Sequence, residues 1–161
     1  TMRRTTNSEL VRTRGKIISL KIKQIQDEII DEFAMFDDWM QRYEYMIDLG
    51  KSLPLIDEKF KTDEYLVNGC QSKVWVKAEL VNKQIVFKAD SDAIISKGII
   101  AILIRVFSHH EPNEIIEANT DFIDKIGLKD HLSPNRANGL SSMIKQLKLY
   151  ALAYQTKINN E

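Results

Sequence analysis

The hydrophobic period changes twice along this chain, and no other sequence feature limits the fold as much. From Ile18 the apolar residues Ile18, Ile22, Ile25, Ile29, Phe33 and Phe36 recur every three or four positions, marking one face of a helix. "DDW" follows, so Asp37 or Asp38 can cap a second helix carrying Trp39, Tyr43, Met46 and Ile47, with Gly50 as its stop and Pro54 beyond. Trp39 and Tyr43 at that spacing read as core and not as a cofactor box. Residues 51–64 are polar and turn-rich, a surface connection. The period then drops to two. "KVWVKAEL" and "QIVFKAD" alternate on either side of Asn82-Lys83, which predicts a hairpin. Asn accepts the left-handed backbone of such a turn, and Lys is a weaker second residue than Gly. Leu66 and Val67 offer a short third strand.

A helical period returns with "SDAIISKGIIAILIRVF". Isoleucine favours strands by propensity, but Ile95, Ile99, Ile102, Leu103 and Val106 share one helical face, and Ser91 or Asp92 can cap its start. Gly98 costs about 1 kcal/mol against Ala inside a helix, so it signals a close packing approach, expected against the sheet. "EPNEIIEANTDFIDKIG" predicts two short helices ending at Gly127. The last helix starts with Ser133 as cap and Pro134 at its first position, and Leu140, Met143, Ile144 and Leu147 form its apolar stripe. The expected fold is α+β: a small antiparallel sheet of about three strands packed against several helices, in a single domain over residues 18–158.

Composition narrows the function classes. At 161 residues and 43% hydrophobic, the chain can build a core without staples. Its 23 basic and 23 acidic residues leave no overall field to attract nucleic acid. Residues 1–23 hold seven basic residues and one acidic, net +6, leaving −6 for residues 24–161. An Arg-rich, acid-poor start is similar to an organellar transit peptide, but residues 1–17 read more simply as a flexible basic tail. A cytoplasmic location is expected, with organellar import as the alternative. No apolar run is long enough to span a membrane; the longest, near Ile99 to Ile104, stops at Arg105. With Cys70 and three histidines (His109, His110 and His131) as the only soft ligands, neither a metal site nor an internal disulfide is expected.

The lone thiol lies in "LVNGCQSKVWV", directly after the turn signal Asn68-Gly69 and before an alternating run. Free cysteine is commonly buried and inert, but turn tips tend to the surface. Gly69 tolerates positive φ, which lets the chain bend before Cys70. Gln71 and Ser72 can bond loop backbone or a partner, while Val74 and Trp75 anchor the exit. Arg136 is also unusual. A cation in a first helical turn opposes the dipole by a few tenths of a kcal/mol to about 1 kcal/mol, so it either lies solvated or answers to an acid, a thiolate or a partner.

Three segments together carry a family resemblance. "GCQSKVW" (Gly69 to Trp75), "SDAIISKGIIA" (Ser91 to Ala101) and "HLSPNRANGL" (His131 to Leu140) resemble the signature of the SufE family, sulfur acceptors of iron–sulfur cluster biogenesis. "WMQRYEYMIDLGKSLP" is similar to that family's second helix, and the likeness runs from about Ile25 to about Tyr154. Ile99, Ile100 and Ser133 depart slightly from the usual residues. The resemblance implies a fold close to the cluster-scaffold proteins of the IscU type. It implies that Cys70 accepts a sulfane sulfur from a cysteine desulfurase, stimulates that enzyme and hands the sulfur to an iron–sulfur scaffold complex. It also implies a loop that can be tucked or extended, and a protein acting as monomer or homodimer. Pyridoxal phosphate would belong to the desulfurase, so no cofactor is expected here.

The chemistry fits that implication. Sulfur transfer is thiolate attack on the outer sulfur of a persulfide, akin to thiol–disulfide exchange. The acceptor must lose its proton, and Lys73 or Arg136 could assist. A second thiol nearby would resolve the persulfide and lose the sulfur as sulfide. Gly69, Gln71, Ser72, Ser91, Asp92 and Arg136 are the expected surface around the thiol. Two other classes stay open: a cysteine enzyme with His109, His110 or His131 as base, and an interaction module in which Cys70 only packs.

Overall fold

The computed structural model describes residues 21–161 in full and, within the first twenty, the backbone of residues 10–13 and 16–19. Those eight residues pair as an antiparallel ladder of β1 (Leu10–Thr13) and β2 (Lys16–Ser19). All of the ladder but Ile18 and Ser19 lies in the stretch expected to be a tail, residues 1–17, and the rest of that stretch lies outside the described residues. Ile18 falls in β2, so the first helix, α1 (Ile22–Ala34), begins four residues later than its period suggested. Lys21 N–H donates to Gln24 Oε1 at 2.8 Å to close its first turn. Ile22, Ile25, Ile29 and Phe33 are buried as expected, whereas Phe36 lies past the helix end.

Helix α2 (Trp39–Gly50) is capped by Asp38, whose carboxylate accepts Gln41 N–H at 2.8 Å. The hairpin follows: β3 (Val74–Val81) and β4 (Gln84–Ser91), antiparallel, with Val81 opposite Gln84. Asn82 and Lys83 take φ of 52° and 69°, both left-handed, which is the geometry a two-residue turn needs to match strand twist. The sheet has two strands and not three. Leu66 makes one isolated bridge to Trp75, and Val67 N–H one bond to Val74 O at 2.8 Å, before the chain turns away.

Helix α3 (Ile94–Phe107) is buried on nearly every side from Gly98 to Phe107, as a core helix that is apolar all round must be. It packs on α1, α2, β4 and the long C-terminal helix α6 (Pro134–Asn159). Gly98 does mark a close approach, but to α2 and not to the sheet. A Cβ there would stand 2.5 Å from Met46 O. The buried Arg105 of α3 meets Glu32 of α1 through two bonds of 2.7 and 2.6 Å, which offsets the cost of taking the charge out of water. The expected pair of short helices is α4 (Pro112–Glu117) and α5 (Asp121–Lys125), and Gly127 after them takes φ 71°.

Helix α6 lies along the outer edge of β3, where Tyr150 and Tyr154 hydroxyls donate to Val76 O and Ala78 O at 3.1 and 3.0 Å. Its Lys148 ammonium closes the end of α4 through the carbonyls of Ile115, Ile116 and Ala118. The layers are therefore a hairpin on α3, with α6, α2 and α1 around them: an α+β fold. Among the described residues no helix is long and apolar enough to cross a membrane.

Candidate functional site

Two segments from distant parts of the chain meet at one corner of the hairpin. Residues 68–73 enter β3, and the capped start of α6 lies beside them. Gly69 takes φ 93°, a conformation that disfavours any side chain, and a Cβ there would lie 2.4 Å from Ser142 Oγ on α6. Two constraints thus coincide at one residue. The bend turns Cys70 toward α6, where its thiol sits half-buried and donates to Gly139 O at 3.6 Å. Gly139 lies directly against the thiol, so that a Cβ there would make ordinary van der Waals contact with Sγ at 3.5 Å. Gln71 accepts a bond from Asn135 Nδ2 at 3.0 Å, the second tie between loop and helix.

The loop's exit is held from the other side. Asp92 Oδ1 accepts Lys73 N–H at 3.0 Å, and Ser91 Oγ donates to Lys73 O at 2.8 Å. Neither residue caps α3, whose N-cap is Ala93 without a side-chain bond. Both residues tie to Lys73 because the β4–α3 turn runs beside the loop, and Ser91 Oγ also accepts Ala93 N–H at 3.2 Å within that turn. Ser91 and Asp92 therefore position the thiol loop, yet they do not line the space next to the sulfur.

That space is a pocket of about 310 Å³ lined by Cys70, Gln71, Ser72, Ser96, Ser133, Asn135, Arg136, Gly139 and Met143. Ser133 Oγ caps α6 by accepting Arg136 N–H at 3.3 Å, which aims the first turn at the loop. Arg136 makes no ion pair among the described residues and is the one charged side chain in the lining. Lys97, one residue beyond Ser96, is directed instead to Asp90 at 3.3 Å. Burial works against the Asp90 carboxylate. Bonds from Lys61, at 2.6 Å, and from Ser91 N–H and Lys97 nevertheless hold it below its ordinary pKa.

Burial pushes the Cys70 thiol above its ordinary pKa, and nothing in the lining reverses that. At neutral pH the sulfur is an S–H donor. None of the three histidines lines the pocket. His131 stacks on Trp39 at 3.8 Å and bonds Gly127 O through Nδ1 at 3.0 Å. His110 bridges Ile85, at the far end of β4 from the thiol. Lys73 contributes backbone and not its ammonium. Of the expected surface, Cys70, Gln71, Ser72 and Arg136 come together, with Gly69 shaping the bend. Ser96, Asn135, Gly139 and Met143 were not foreseen. Two of them carried a signal: a serine inside a largely apolar helix, and a glycine where a helix former would serve better. Among the described residues no cluster of three or more metal-ligating side chains occurs.

Residues 27–151 match the SufE family model, described as an Fe-S metabolism associated domain. The chain belongs to the SufE family. A SufE-like protein of Rhizobium meliloti is 43% identical over 127 residues, covering 76% of this chain and 91% of its own length. One from Synechocystis is 36% identical, covering 80% of both chains. The SufE-like protein 1, chloroplastic/mitochondrial, of Arabidopsis thaliana is 37% identical over 81% of this chain and 35% of its own. In structure, a hypothetical protein from Thermus thermophilus, solved in solution, superposes with a TM-score of 0.69 at 16% identity, covering 82% of this chain and 96% of its own. That likeness supports the α+β fold of this SufE member, and the family ties it to iron–sulfur metabolism.

Proposed function

We propose that Cys70 carries sulfane sulfur from a cysteine desulfurase to an iron–sulfur scaffold complex, and that docking of the desulfurase accelerates the enzyme. The observation that carries this reading is the thiol's placement: half-buried at the tip of a glycine-bent loop, held to α6 by one weak S–H···O bond and one side-chain bond. A structural thiol would be sealed in the core, and a catalytic one would face a base. Cys70 does neither.

The step balances without any group of this chain's own beyond the thiol. The Cys70 thiolate attacks the outer sulfur of the donor's persulfide and a new S–S bond forms at Sγ. The donor's own S–S bond breaks, and its inner sulfur leaves as thiolate, taking up the proton that Cys70 released. The tucked thiol is a poor nucleophile because burial keeps it protonated. Swinging it into the partner's site removes that penalty, so reactivity and docking are coupled. Pyridoxal phosphate belongs to the desulfurase in this scheme, and no cofactor of this chain takes part.

The Cys70→Ser variant tests it. Desulfurase stimulation and the added sulfur atom on the Cys70 peptide should both disappear, while thermal unfolding changes by no more than a few degrees, as for a substitution near the surface. Stimulation that persists in the variant would sink the carrier role. No histidine lines the pocket, so the cysteine-enzyme alternative has no observation in its favour.

A further inference from the structure

Ser96 is the polar residue least explained by the fold. It sits on α3 at 7% exposure, among isoleucines, and its hydroxyl has no hydrogen-bond partner among the described residues. Although the residue as a whole is buried, its oxygen is not sealed in the core and keeps contact with the space of the pocket. The hydroxyl opens onto the pocket that also holds Cys70 and the unpaired Arg136 guanidinium. A donor without a partner and a cation without an anion thus face one space beside one sulfur. Cys70 as a neutral thiol satisfies neither, since its bond goes to Gly139 O.

We propose that Ser96 and Arg136 bind the terminal sulfur of a Cys70 persulfide in its anionic form, with the Ser96 O–H and the guanidinium donating to it. The assignment rests on the carrier reading for its biological setting, though not for its chemistry. Electron withdrawal by the inner sulfur makes a hydropersulfide a stronger acid than its parent thiol, so the loaded side chain tends to the anion where the unloaded one is protonated. The pocket, about 310 Å³, has room for the added atom with the loop tucked. Loading would thereby change the loop's preference: the thiol bonds a carbonyl, whereas the persulfide anion is drawn toward the two donors. Hydrogen bonding and a cation both favour the charged form. No other side chain in the lining titrates, and Lys97 is turned to Asp90.

The test loads the full chain from inorganic polysulfide, removes the excess, and follows the near-ultraviolet absorbance of the persulfide anion against pH. Ser96→Ala and Arg136→Gln should each raise the midpoint by about one pH unit, a tenfold change in acid dissociation, and Ser96→Thr should restore it. Arg136 is exposed, so its variant reports even if a change at Ser96 harms folding. Midpoints equal to wild type in both variants overturn the assignment, as does a Cys70 that takes no sulfur from polysulfide. Desulfurase stimulation is read separately: a normal titration with no stimulation sinks the carrier reading and leaves the pocket assignment standing.

Discussion

The two ends of one hairpin are built in opposite ways. At the turn end, Ile85 exchanges backbone bonds with residues 109 and 110, Ile85 N–H to His110 O at 2.8 Å and His109 N–H to Ile85 O at 2.7 Å. Ser108 Oγ accepts Phe87 N–H at 2.9 Å, and Ile85, Phe87, Ser108 and His110 are all buried. At the thiol end, the comparable ties are Gln71 to Asn135, Lys73 to Asp92 and Cys70 to Gly139, and most of these groups face water. Bonds sealed from solvent have no alternative partner, while exposed ones exchange with water at little net cost. The same two strands therefore offer a sealed end and a more solvated one, and the lower cost of breaking solvated bonds suits the carrier role proposed for Cys70.

Ser108→Ala attacks the sealed end and should have the largest effect. It strands a buried N–H, for a loss of about 1–3 kcal/mol in denaturant unfolding, with Cys70 labelling in the native state unchanged. Faster labelling would mean that the two ends are not independent. Gly69→Ala attacks the solvated end. It should cost about 1 kcal/mol for the left-handed backbone, and the clash with Ser142 should push the loop off α6, so that alkylation of Cys70 speeds up several-fold. Unaltered alkylation would show that the bend does not hold the thiol in place. The smallest effect is on pH dependence. Cys70 has a folded pKa above its unfolded one, so the unfolded state gives up its proton first and binds fewer protons in that window. Stability should fall as pH rises past the ordinary thiol value of about 8.5, and Cys70→Ser should lack that decline. Superimposable wild-type and variant curves would count against burial as the cause.

The period changes made the α+β architecture legible because buried faces need apolar side chains at fixed spacing, whatever the tertiary partner. What the sequence hid was competition for polar groups. Ser91 and Asp92 look like caps for α3, but Asp92 accepts the N–H of Lys73, 19 residues away, and Ser91 donates to Lys73 O while accepting only the N–H of Ala93, the N-cap itself. Leu66 and Val67 look like a strand, yet the Gly69 bend leaves room for one bridge only. Cys70, Gln71 and Arg136 were found as neighbours from local chemistry and family likeness. Ser96 and Gly139 were not, because their importance comes from their standing beside Cys70, 26 and 69 residues away in the chain.

The tyrosines of α6 have one more effect. Their hydroxyls occupy the Val76 and Ala78 carbonyls on one border of the sheet, while residues 54, 56 and 108–110 occupy the other. Among the described residues, strand addition along the middle of this hairpin would have to displace these contacts first. At these positions recognition is left to side chains.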